Sequence, residues 1–190
     1  MGATKYIQQT FQREFAGKKD ESYDYKKIQR ERLIGFRKEK KAIVRLEKPT
    51  NIARARTLGY KAKKGFVVTR VRIRKGSGMH TRPTSGRRPK RMGTSKLTRN
   101  INIQAIAEQR CTRRYPNCEV LNSYYIGDDG VNHYYEIILV DVNAPEIKSD
   151  REINWICSRK HKSRALRGLT SRGKKSRGLR RKGKGSERAR

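Results

Sequence analysis

Charge in this chain is sorted by segment, and that sorting limits its fold more than any motif does. From Lys48 to Ala107 there is no acidic residue, yet there are 17 lysines or arginines. From Tyr115 to Ile147 the balance inverts, with 6 acids and no lysine or arginine. Residues 159–190 hold 15 cations among 32 positions, with Glu187 as their one acid, while residues 1–47 are mixed, 13 basic against 7 acidic. Like charges at this density repel, so the cation-rich stretches need a polyanion, whereas the cation-free stretch can close on itself. Over 190 residues the formal charge is +33 and 33% of residues are apolar, against roughly 45–50% in an average domain. Part of the chain therefore buries a core and part orders on a partner. The length allows one domain with extensions, or two small ones.

No apolar run approaches the ~18 residues of a membrane span. The start, Met1-Gly-Ala-Thr-Lys-Tyr6, has no apolar h-region for a secretory signal, and Tyr6 stands where the myristoylation pattern wants Ser or Thr. Cys111, Cys118 and Cys157 are odd in number without a disulfide framework, which suits a reducing compartment. Six residues separate Cys111 from Cys118, there is no Cys-x-x-Cys pair, and the chain has 3 histidines, so small buried thiols are expected rather than a zinc site. Gly168-Leu-Thr-Ser-Arg-Gly-Lys174 starts like a phosphate-binding P-loop, but Lys175 stands where Ser or Thr must hold magnesium, and no strand precedes it. His133 reads as a strand-surface residue, and Asp128 with Asp129 as turn residues bonding their own backbone. No nucleophile–base pair or acid–base dyad stands out, so neither catalysis nor a metal or cofactor is expected.

Residues 5–41 show helical spacing in two stretches, Tyr6, Ile7, Phe11, Phe15 and then Tyr25, Ile28, Leu33, Phe36, with a break over Gly17–Ser22. Ala42–Glu47 reads as a short strand ended by Pro49, and Thr50 or Asn51 caps a short helix to about Leu58, stopped by Gly59. Residues 76–96 mix Gly, Pro, Ser, Arg and Lys with no apolar period, so they read as a loop. A helix is expected from Ser95 or Thr98 to about Arg114. Strands over 119–126 and 133–142 flank Gly127-Asp128-Asp129-Gly130, a hairpin signal, with Tyr124, Tyr125, Tyr134 and Tyr135 pairing across it. This hairpin lies in the cation-free stretch and is expected in the core. From Arg159 the Ser-Arg-Gly and Arg-Gly-Leu repeats read as a low-complexity basic extension.

Phe66–Arg74 alternates most sharply. Val67, Thr69, Val71 and Ile73 fall on one face, and Arg70, Arg72 and Arg74 on the other. With the first face on a core, the second presents a comb of guanidinium forks matched to phosphate oxygens. Tyr60, beside Lys61, Lys63 and Lys64, suits stacking on an unpaired base or sugar, and His80 and His161 sit among cations as phosphate neighbours. There is no zinc-finger spacing and no aromatic RNP pattern, so the recognition expected is of backbone and shape.

Four blocks, in order along almost the whole chain, carry a resemblance. They are Met1-Gly-Ala-Thr-Lys-Tyr-Ile-Gln8, Leu58-Gly-Tyr-Lys-Ala-Lys-Lys-Gly65, Val120-Leu-Asn-Ser-Tyr-Tyr-Ile-Gly127, and Arg167-Gly-Leu-Thr-Ser-Arg-Gly-Lys-Lys-Ser-Arg-Gly-Leu179. Together they resemble the archaeal and eukaryotic large-subunit ribosomal protein fifteen, the "fifteen-e" family. The resemblance implies a non-catalytic α+β protein of the cytoplasmic large ribosomal subunit. Joined to the strands read above, it predicts a small antiparallel four-stranded sheet packed with helices, plus a long basic loop and a C-terminal extension. The expected organisation is a helical segment over 1–41, a core over 42–158 carrying the loop, and an RNA-binding tail over 159–190. The implied partners are large-subunit rRNA and neighbouring ribosomal proteins, at one copy per ribosome, with no homo-oligomer, membrane or small-molecule substrate.

The expected rRNA contacts begin with Lys5, Tyr60, Lys61, Lys63, Lys64, Arg70, Arg72, Arg74 and Lys75. The loop adds Arg82, Arg87, Arg88, Lys90 and Arg91. The tail adds Lys160, His161, Arg164, Arg167, Arg172, Lys174, Lys175, Arg177, Arg180 and Arg181. Two other classes compete: a free architectural or chaperone-like binder of RNA or DNA, which leaves the four ordered blocks to coincidence, and a nucleic-acid enzyme, for which no residue volunteers.

Overall fold

Strong alternation over Phe66–Arg74 and a cation-free hairpin place three long strands at the centre of the molecule. The computed structural model describes residues 2–20 and 23–180. Helix α1 (Ala3–Ala16) stops at Gly17, whose left-handed backbone, φ 61°, lets its N–H return to Glu14. A two-rung ladder, β1 (Lys19–Asp20) with β2 (Tyr23–Asp24), leads into α2 (Tyr25–Lys38), where the Asp24 carboxylate accepts from the Lys27 N–H. After β3 (Ile43–Leu46), Asn51 caps α3 (Ile52–Thr57) in the same way. Strand β4 (Phe66–Arg74), helix α4 (Ile103–Arg114), strands β5 (Cys118–Asp128) and β6 (Asn132–Asp141), and the short α5 (Pro145–Lys148) and α6 (Ser171–Ser176) follow.

The main sheet is antiparallel throughout, in the order β3-β4-β6-β5. The fold is α+β with a four-stranded antiparallel sheet, as the family resemblance joined to the strand pattern predicted. Tyr125 and Tyr135 oppose each other in register and meet edge to face at 5.7 Å. Strand β6 is interior, and Ile137, Ile138, Leu139 and Val140 are all fully buried. Such a continuous apolar run marks a strand covered on both faces. On one face α4 brings Ala107 and Cys111 against Val71, Ile73, Ile137 and Leu139. On the other, Phe36 of α2 and Ala55 of α3 pack on Tyr124, Tyr134 and Ile138.

Two expectations are corrected. Helix α4 begins at Ile103, where Asn102 caps it by accepting from the Gln104 N–H, and not at Ser95 or Thr98. A cap that satisfies an orphan N–H outweighs the helical spacing of Leu97 and Ile101, which are left exposed. Residues 159–180, read from the sequence as a low-complexity basic extension, are packed on the core in part. A third cluster of Val140, Ile147, Ile153 and Ile156 leads into them, and Ala165 then joins the core beneath α4. The Thr170 hydroxyl donates to buried Glu108 at 2.6 Å, and the Ser123 hydroxyl donates to the same carboxylate at 2.5 Å. Burial pushes the Glu108 carboxyl up from its usual range, and those two hydroxyls pull it partly back. One α4 side chain thus ties strand β5 to the C-terminal segment.

Candidate nucleic-acid interface

The arginines of β4 do not form an open comb, which corrects the expectation for Arg70 and Arg72. Arg70 is only 9% exposed. Its guanidinium lies 3.8 Å from the centroid of the Phe36 ring, pairs with Glu39, and faces Glu136 across the ladder. Glu136 is fully buried and accepts from the Thr50 N–H at 3.0 Å and from the hydroxyls of Thr50 and Tyr124. Burial pushes the Glu136 carboxyl up, opposed by those bonds and by Arg70. Arg72 is half-buried and donates to the Glu39 carbonyl at 3.3 Å. Arg74, at the strand end, is exposed. The polar face of β4 carries a second helical layer, α2, which strand alternation alone does not reveal.

The cluster around Tyr60 is also turned inward in part. Tyr60 is half-buried and meets the Phe66 ring edge-on at 6.0 Å. Lys61 pairs with Asp150 at 3.1 Å and Glu152 at 2.5 Å, and Lys63 pairs with Asp150. Lys63, the Glu152 N–H and Lys61 hold the Asp150 carboxyl well below the usual carboxylate range. Lys75 pairs with Asp128 at 2.5 Å. Lys64 is exposed and meets no carboxylate among the described residues, and Lys5 is exposed on α1.

Loop 76–96 has one regular turn, the 3-10 helix Pro89–Arg91. Arg82, Arg87, Arg88, Lys90 and Arg91 are all exposed, and their side chains form no ion pair or hydrogen bond among the described residues. Arg99, not singled out from the sequence, ties the loop shut by donating to the carbonyls of Gly76 at 2.7 Å and Arg74 at 2.9 Å. Nothing in its sequence setting separates it from the other cations nearby. Lys96, also missed, is exposed beside it.

The C-terminal cations divide by role. Arg164 is buried over Trp155, 4.9 Å from the ring, and His161 meets the same ring edge-on at 4.9 Å. Arg164 is therefore turned into the fold and away from an open phosphate surface, while His161 is half-buried. Arg172 donates to the Asn102 side chain at 2.8 Å and Arg180 to the Ser171 hydroxyl at 2.5 Å. Lys160, Arg167, Lys174, Lys175 and Arg177 are exposed. Arg181 lies outside the described residues.

Beside the exposed cations on this α+β core stands a family match: the family model described as Ribosomal L15, of the L15e type, matches residues 2–190. The chain belongs to the L15e family of ribosomal proteins. It is a large-subunit ribosomal protein, a structural constituent of the cytoplasmic ribosome that works in translation in association with the large subunit and its rRNA. The family match takes in the four sequence blocks, the first of them from Gly2, and extends through loop 76–96.

Elsewhere this L15e-family chain shows ordinary structural chemistry. Burial pushes the Cys111 thiol up to about 12 and the Cys118 thiol up to about 11. No group of three metal-ligating side chains occurs among the described residues, and no described helix is long and apolar enough to cross a membrane.

Asp129 organises the β5–β6 turn by accepting from the N–H groups of Val131 and Asn132, the Tyr134 hydroxyl and Arg37. Burial alone raises its carboxyl, but these donors outweigh burial and hold it well below the usual carboxylate range. A depressed carboxylate stabilises the fold above its unfolded value of 3.8, and that stability is lost as pH falls through the folded value. Glu108 and Glu136 are raised and work in the opposite sense. Asp129→Asn is therefore expected to flatten the acid limb of stability against pH, read as urea midpoints from pH 6 down to pH 2, across the fall below 3.8. A variant curve parallel to the parent would show that this turn carboxylate has no part in acid unfolding.

Proposed function

We propose that the chain scaffolds folded large-subunit rRNA by neutralising phosphates, with no catalysis, as a single copy beside neighbouring ribosomal proteins. The contact set is loop 76–96 with the outward cations Lys64, Arg74, Lys160, Arg167, Lys174, Lys175 and Arg177, continued by Arg181. The observation that carries this reading is the loop: five cations in an exposed, acid-free segment with no partner among the described residues. A long segment lacking its own core and its own counter-charges is built to be completed by something else. Backbone phosphates supply that complement, and release of their condensed counterions drives the binding.

Replacing Arg82, Arg87, Arg88, Lys90 and Arg91 together by Gln is expected to make the slope of log K against log salt shallower by about 4, taking roughly 0.7–0.9 per lost phosphate contact. The measurement is binding of the full chain to large-subunit rRNA at several salt concentrations, with unfolding midpoints as a control for folding. An unchanged slope would show that the loop meets protein or solvent. Co-sedimentation of the parent chain with large subunits through high salt separates a scaffold from a free binder of RNA or DNA.

A further inference from the structure

Between the N-terminal end of α4 and the C-terminal segment lies an open groove of about 280 Å³. Ile101, Ala105, Ala165 and Leu166 make its apolar wall, and Ile101 and Leu166 remain 40% and 41% exposed. Asn100 and Gln109 bring two side-chain amides to the same groove, and neither amide has a hydrogen-bond partner among the described residues. Arg167 and Arg177 line it as well, and no carboxylate does.

Arg167 is held ready. Its Nε donates to the Lys162 carbonyl at 2.9 Å and one terminal nitrogen donates to the Lys160 carbonyl. Hydrogen bonds to a guanidinium run in its plane, so these two fix the plane while leaving a flat face open. Arg177 lies with its stem across Gly168: a Cβ placed on that glycine would sit 2.8 Å from the Arg177 Cδ. Its charged end forms no ion pair or hydrogen bond among the described residues.

We infer that this groove takes one unstacked nucleotide of large-subunit rRNA, its base on the apolar wall and the Arg167 face, its edge on the two amides, and its phosphate at Arg177. The inference rests on the scaffold reading above and adds to it a place where a base, rather than only phosphate, is held. Unpaired RNA bases are bound in this way, by stacking on guanidinium planes and by hydrogen bonds to their edges. Charge decides against an apolar side chain of a neighbouring protein, which would leave the Arg177 guanidinium and two amides without partners. The pocket is of a size for one small planar ring system.

The test places the photo-cross-linking residue p-benzoylphenylalanine at Leu166, and separately at Met79 in the loop, in the full chain assembled into large subunits in cells. The Leu166 probe is expected to label rRNA at one nucleotide. Adding Ser176→Leu, which fills the groove from an exposed position without offering a ring to stack on, is expected to lower that labelling roughly tenfold while the Met79 probe still labels rRNA. Labelling from Met79 but none from Leu166, or labelling from Leu166 onto a protein or onto residues 181–190, overturns the nucleotide pocket and leaves the scaffold reading standing. Labelling at Leu166 that Ser176→Leu does not change also overturns the pocket. No rRNA labelling from either position overturns both readings.

Discussion

Arg70→Gln is expected to lower the stability of the folded chain by about 3 kcal/mol, the low end of the cost of breaking one side of a buried ion pair. The reason lies in what the change leaves behind. Glu39, mostly covered, pairs with the Arg70 guanidinium, and fully buried Glu136 sits opposite Arg70 across the ladder. A neutral amide leaves two carboxylates short of their counter-charge and removes the cation from the Phe36 ring. The same substitution is expected to leave the salt slope of rRNA binding unchanged, because the guanidinium points into the body of the protein. Arg74→Gln should do the reverse, with no effect on the unfolding midpoint and a slope shallower by about one phosphate contact, roughly 0.7–0.9. Urea midpoints and salt titrations of the two variants check both halves. A stable Arg70→Gln variant with a weakened slope would mean that α2 lifts away and the comb opens after all. Combining Arg70→Gln with Glu39→Gln should recover part of the loss, since contacting charges do not add independently.

The second large effect is expected at Gly173. A Cβ there would lie 2.6 Å from the Cα and 2.7 Å from the carbonyl carbon of Gly168. These are backbone atoms, which cannot rotate aside, so Gly173→Ala has to separate the two segments at a cost of about 3 kcal/mol. Separation also pulls Thr170 from Glu108 and leaves that buried carboxyl short of a donor. Hydrogen exchange should therefore rise across residues 163–176 and at the facing side of α4, with the β5–β6 hairpin still protected. Gly168→Ala is the informative contrast. Its neighbour is the flexible Arg177 stem, so its cost is mainly that of a side chain at φ +67°, roughly 1–2 kcal/mol. Normal protection across 163–176 in Gly173→Ala would show that the two segments part without consequence. The same packing bears on truncation. Cutting before Arg159 removes Ala165 and Thr170 from beneath α4, so that cut damages the core, and a test of tail function alone has to fall after residue 180.

Where a rule is local, the residues were legible. Alternation located β4 and the tyrosine hairpin, and Gly17 and Asn51 marked helix boundaries that the structure keeps. Where a neighbour distant in sequence decides, they were not. Arg70 and Arg74 look alike in the chain, yet one lies under Phe36 and the other at the open strand end. Lys63 and Lys64 are adjacent, and only Lys63 finds Asp150, 87 residues away. The glycines of 168–178 belong to a stretch that reads as a low-complexity basic extension. In the fold, Gly173 is the close-contact point that lets the segment lie on itself.

The chain alone marked a cation-free hairpin that forms core and an acid-free run of 17 cations. That run divides in the fold: β4 and α3 join the core, while the cations of loop 76–96 stay exposed. The strand periods and the order of the four family blocks followed from the same residues. Tertiary structure decided which cations still face outward. That depends on the second layer over the sheet and on carboxylates brought from Glu39, Asp128 and Asp150, and an ion pair forms by distance in space, which local pattern does not encode.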